Sequence, residues 1–137
     1  MESKRKRKSM KPPSEAQRGW SAALRAELEQ WPSVELKNSF GMILVYRGDL
    51  IFAALSGTRA FYSEDAIMLK FNREKRELPG RIAAEPRFVP GAMHTRGQTS
   101  EGRKWRLLAL REGADLNRAL EWLADAYQSA SPARKPR

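Results

Sequence analysis

Ser39-Phe-Gly-Met-Ile-Leu-Val-Tyr-Arg-Gly-Asp-Leu-Ile-Phe-Ala-Ala-Leu55 reads as two apolar strands folded about one turn. Gly48-Asp49 is a glycine-first pair of the kind that two-residue hairpins favour, because glycine takes a positive φ without a steric cost. The runs on either side, Met42 to Tyr46 and Leu50 to Leu55, are apolar at odd and even positions alike. A hairpin with one wet face would alternate apolar with polar residues. This hairpin is therefore expected in the interior of a sheet or at a subunit interface, with helices over one face and a partner subunit over the other.

Working outward, Ser14 follows Pro12-Pro13 as a helix N-cap, and Gln17 stands three residues on, where a capping box would place it. The helix sets Trp20, Ala23, Leu24, Leu28 and Trp31 near one face and stops before Pro32. A short strand from Val34 to Lys37 leads into the hairpin. Ala66 to Phe71 and Lys104 to Leu110 read as two more strands. The last element is a helix capped by Asp115 after Gly113, with Leu116, Ala119, Leu120, Leu123, Ala126, Tyr127 and Ala130 in its apolar stripe and Trp122 on the flank. Between the last two strands, Gly80 to Phe88 suggests a short helical or extended piece. The Gly91–Gly102 segment has no periodicity, and three glycines make it the expected mobile loop and first site of proteolysis. The pattern is α+β: an antiparallel sheet of about four or five strands packed with N- and C-terminal helices.

Charge divides the chain of 137 residues more sharply than its apolar pattern does. The net charge is +10, but residues 1–13 carry +5, residues 131–137 carry +3, and the body from 14 to 130 carries only +2. Both ends read as basic disordered tails flanking a single domain at 14–130. The absence of cysteine excludes disulfides, thiolate metal sites and a cysteine nucleophile, and fits a reducing compartment. No apolar run reaches the length of a membrane span, and the basic N-terminus lacks the apolar core of an export signal. A soluble cytoplasmic protein with no membrane partner is the expectation.

The first helix, Phe40-Gly41-Met42 opening the hairpin, Gly48 at its turn, Phe52-Ala53 after it, Ile67-Met68-Leu69-Lys70, Lys104-Trp105 and the Asp115–Tyr127 helix together resemble the N-terminal domain family of TfoX, related to YjbR-like proteins. The similarity runs from Leu24 to Tyr127. Where the family often has a basic residue and Met before Phe-Gly, this chain has Asn38-Ser39. The resemblance implies a small α+β domain with packed terminal helices. From named members it implies regulation of bacterial competence genes and no catalysis, and from YjbR-like relatives it implies DNA binding.

Residue by residue, chemistry is sparse. Lys4, Arg5, Lys6, Arg7, Lys8 and Lys11, with Arg134, Lys135 and Arg137, offer sequence-independent phosphate contacts, or serve as solvated, solubilising tails. His94 is the single histidine and lacks the companions that a metal site or a base would need, despite Arg96, Arg103 and Lys104 nearby. Glu64-Asp65 reads as a turn, and Arg47-Gly48-Asp49 as the hairpin turn itself. Trp20, Trp31, Trp105, Trp122, Phe40, Phe52 and Phe71 read as core rather than as a base-stacking platform. Gly41, Gly48 and Gly57 make no phosphate loop. The expectation is a non-enzymatic regulatory or protein-interaction domain without cofactor or metal, partnered by another protein or a second copy. The alternative is an accessory protein that binds nucleic acid nonspecifically through its tails.

Overall fold

Apolar residues on both faces of consecutive strands call for a sheet with buried residues on each side, and the computed structural model is built around a sheet with a large apolar cluster on one face and a smaller one on the other. It describes residues 14–57, 65–89 and 105–131. Five strands, β1 (Val34–Ser39), β2 (Met42–Arg47), β3 (Leu50–Ser56), β4 (Ala66–Lys70) and β5 (Trp105–Ala109), form one antiparallel sheet in chain order. Three helices accompany it: α1 (Glu15–Leu28), α2 (Leu78–Ala83) and α3 (Asp115–Ser129). The α+β arrangement with terminal helices is thus the observed one, and the β2–β3 hairpin lies in the sheet interior.

The larger core lies between one sheet face and all three helices. Val45, Phe52, Ala53, Leu55, Ile67, Leu69 and Leu108 meet Leu24, Leu28, Leu78, Leu123 and Ala126 there. A bulge at Phe52 shifts the register between Val45/Ala53 and Tyr46/Ile51, so Phe52 and Ala53 both join this core. Phe52 meets the Tyr127 ring edge-on at 5.6 Å. On the opposite face a smaller cluster forms from Met42, Ala54, Ala66, Met68 and Leu107, with Leu44, Val89 and Trp105 packed at its rim. No buried residue of any described helix belongs to it.

Several local readings need correction. Ser14 caps α1 by accepting from the Gln17 N–H at 3.0 Å, but Gln17 does not return the bond. Its buried amide accepts from the Ala66 N–H at 2.8 Å and donates to the Ala66 carbonyl at 2.9 Å and the Ser56 hydroxyl at 3.0 Å. A side chain thus completes the end of β4 as a neighbouring strand would. The buried face of α1 is Gln17, Ser21, Leu24 and Leu28, and Ala23 is exposed. Asp115 does not cap α3. It turns backward to accept from the N–H groups of Arg111 at 2.7 Å and Glu112 at 3.1 Å, and Ala114 occupies the cap position. Trp122 is buried rather than on a wet flank, because Phe88 and Phe71 approach its ring edge-on at 4.9 and 6.1 Å. The Gly80–Phe88 piece resolves into α2 and a bridge from Phe88 to Leu108 that covers the free side of β5.

Candidate functional site

Strand β2 carries a tight turn at each end, and only one of them matches its residues. Beyond its C-terminal end, Gly48 adopts φ +61°, open to solvent, as a glycine-first turn requires. Before its N-terminal end, Ser39 pairs with Met42, leaving Phe40 and Gly41 as the two turn residues at φ +53° and +81°. That geometry suits Asn-Gly or Gly-Gly, and for a bulky side chain the left-handed region costs roughly 1–2 kcal/mol. Ser33 is the other non-glycine residue at positive φ among those described. Phe40 is also 86% exposed, far more than any other large apolar residue described. Its ring adds almost nothing to the core.

What holds the turn in place is backbone. The Gly57 N–H donates to the Gly41 carbonyl at 3.1 Å, and a Cβ on Gly57 would lie 2.7 Å from that oxygen. Only glycine permits so close an approach. Leu36↔Val45 and Asn38↔Ile43 fix the register of the two strands that carry the turn. The conformation is over-determined from both sides, the condition under which strain persists.

Between this turn and α1 lies a cleft of about 640 Å³. The helix contributes Arg18, Ser21, Ala22 and Arg25, one stripe at i, i+3, i+4 and i+7, and the sheet contributes Phe40, Gly41, Ile43 and Gly57. Arg25 shares a surface ion pair with Glu29 at 3.1 Å, both side chains about half exposed, so the pair adds little stability. Arg18 has no ion-pair partner among the described residues. Ser21 is 4% exposed, and its Oγ is one of two buried side-chain polar atoms without a hydrogen-bond partner among the described residues; Trp20 Nε1, which does not line the cleft, is the other. Among the described residues no carboxylate lines the cleft.

A second polar cluster, at the start of α3, has a different character because every member is satisfied. Arg87 donates to Asp115 at 2.6 Å and to Glu85 at 2.8 Å, and the Trp122 indole donates to Glu85 at 3.0 Å. Burial alone would raise the Glu85 carboxyl, but the bonds from Trp122 and Arg87 hold it below its ordinary 4.5. Asp115 is lowered likewise, burial being outweighed by the N–H groups of Arg111 and Glu112 and by Arg87. These carboxylates stabilise the fold fully above their ordinary values of 4.5 and 3.8, and the contribution drains away as pH falls through the lower folded values. The cluster is a structural lock.

The sequence-predicted basic contacts Lys4, Arg5, Lys6, Arg7, Lys8, Lys11, Arg134, Lys135 and Arg137 lie outside the described residues, as do His94, Glu64 and the Gly91–Gly102 loop. Asp65 accepts from the Ser14 hydroxyl at 2.7 Å, which ties the start of α1 to β4. Arg47 lies 4.0 Å over the Tyr127 ring and donates to the Tyr127 carbonyl at 3.0 Å. It belongs to the fold. Of the aromatics read as core, Phe52, Phe71 and Trp122 are buried, and Trp20 and Trp31 pack against the core. Trp105 sits at the rim of the smaller cluster with Lys70 5.9 Å from its ring. Phe40 is the exception: an aromatic expected inside stands in solvent. The cleft also escaped the sequence reading, and its one signal there was Arg18 and Arg25 seven residues apart on an amphipathic helix.

Among the described residues no group of His, Cys, Asp or Glu could hold a metal ion, and no helix is long and apolar enough to cross a membrane. No family model, curated protein or solved structure matches the chain.

Proposed function

We propose that this chain is a non-enzymatic regulatory or protein-interaction domain that docks its partner on the Phe40 turn. The observation that carries this reading is a large aromatic ring held 86% exposed at φ +53° in a turn clamped by backbone. Folding gains nothing from that residue and bears its strain. Binding gains from it, since burying a phenylalanine contributes roughly 1.5–3 kcal/mol. A pre-fixed anchor loses little entropy on docking, and aromatic anchors dominate interface energies. The arrangement that resembles the N-terminal domain family of TfoX points the same way, toward regulation in the bacterial cytoplasm. A second copy of the chain is one such partner.

The test is capture from bacterial lysate on immobilised full-length protein, with and without nuclease, using the parent and Phe40→Asn. A protein retained after nuclease treatment by the parent and lost with Phe40→Asn supports the reading. Equal retention by the variant overturns it. One observation favours a second reading, the localisation of charge: the two tails carry +8 and the body +2. If nuclease strips everything captured, nonspecific phosphate contact through the tails is the better account.

A further inference from the structure

The cleft behind Phe40 has a composition that docking through an aromatic ring does not require. Two arginines on α1 face it with no carboxylate among the described residues of its lining, although residues 14–130 together carry only +2. Seven residues of helix set their backbones about 10 Å apart, a gap that two long arginine side chains can close around one anionic group. Arg18 is without an ion-pair partner among the described residues, and the surface pair of Arg25 with Glu29 is easily exchanged. Between them Ser21 keeps a buried hydroxyl with no hydrogen-bond partner. A buried hydroxyl left unsatisfied costs roughly 1–3 kcal/mol; the Ser21 Oγ is sealed from solvent as it stands, and turning it toward the cleft to meet a ligand oxygen would recover that cost. The remaining walls join apolar Phe40, Ala22 and Ile43 to the uncharged polar residues Asn38, Ser39 and Ser56. At about 640 Å³ the cleft falls in the range of small-molecule sites.

We infer that the cleft is a binding site for an amphipathic anion, an aryl or alkyl body carrying a carboxylate or phosphate. The anionic group lies along the Arg18–Ser21–Arg25 stripe and the apolar body lies against Phe40. This inference deepens the docking reading, since Phe40 belongs to both: occupancy of the cleft would set how the ring is presented to a protein partner. Carboxylate and phosphate share the chemistry of an oxyanion accepting from arginine and a hydroxyl, and the test separates them.

The experiment is a titration of isotope-labelled full-length protein followed by amide chemical shifts. The probes are 3-phenylpropionate, phenyl phosphate and the uncharged 3-phenylpropanamide. Saturable shifts confined to Ser21, Ala22, Gly41 and Gly57 with either anion, and at least about tenfold weaker with the amide, support the site; the tighter anion identifies the head group. Arg18→Gln with Arg25→Gln should weaken the tighter anion about tenfold or more while the melting temperature stays put, because neither side chain is part of the core. Equal binding of amide and anions, unchanged binding by the double variant, or no binding of either anion overturns the inference. The two readings fail separately. If no anion binds while Phe40→Asn still loses its protein partner, docking stands and the anion site falls; if an anion binds while Phe40→Asn keeps its partner, the reverse holds.

Discussion

The Gly48-Asp49 turn and the Phe40-Gly41 turn stand at opposite ends of β2, and the same backbone demand, a positive φ, is met by different residues. At the first, glycine takes φ +61° and the flanking Arg47 is bound onto the Tyr127 ring and carbonyl of α3. The Gly48 N–H donates to the Ser33 carbonyl at 3.1 Å. Every feature there serves the fold. At the second, phenylalanine takes φ +53°, its ring in solvent beside a cleft with two arginines and an unsatisfied hydroxyl. Local propensity and observed structure agree where the protein is only being built. They part company at Phe40, the residue proposed above to be kept for contact with something else.

The strand between the turns sets the largest expected effect. Val45 has no exposure and faces the helices, so Val45→Lys places an unpaired charge in the main core. A loss of about 4 kcal/mol or more should follow, seen as a collapse of the melting temperature and loss of both turns together. A variant that melts with the parent would mean that β2 is not interior. Next comes Gly57→Ala, whose Cβ would press on the Gly41 carbonyl. It should cost about 2 kcal/mol and shift the amides of the Phe40 turn while leaving those at Gly48 in place. Unchanged Phe40 amides would break the claim that backbone clamps that turn. Gly48→Ala meets open space and suffers only from its φ. Net of the entropy it removes from the unfolded chain, it should cost about 1 kcal/mol by chemical denaturation.

Much of the fold was readable because its signals are local or periodic. The apolar runs of β2 and β3, Gly48 in the turn, the cap at Ser14 and the stripe of α3 each occupy a few neighbouring residues. Gln17 was misread because its partner, Ala66, lies 49 residues away, and only the assembled sheet shows a strand end in need of an amide. Trp122 was placed on a flank because the stripe of an isolated helix does not include Phe88 and α2, which widen its buried face. The candidate site was the least legible part. An Asn-Gly at positions 40 and 41 would have announced a turn, whereas Phe-Gly leading straight into the apolar Met42–Tyr46 run reads as more core. The cleft needs α1 and the turn side by side, which no spacing along the chain encodes.

The smallest expected change in stability tests the central claim most directly, that Phe40 is kept for binding and not for folding. Phe40→Asn replaces a strained, exposed ring with a residue at ease in the left-handed region. The account predicts a gain of about 0.5–1 kcal/mol, a melting temperature raised by about 2–4 °C, and loss of the captured protein partner in the same preparation. A variant that melts lower than the parent and still retains its partner would contradict it.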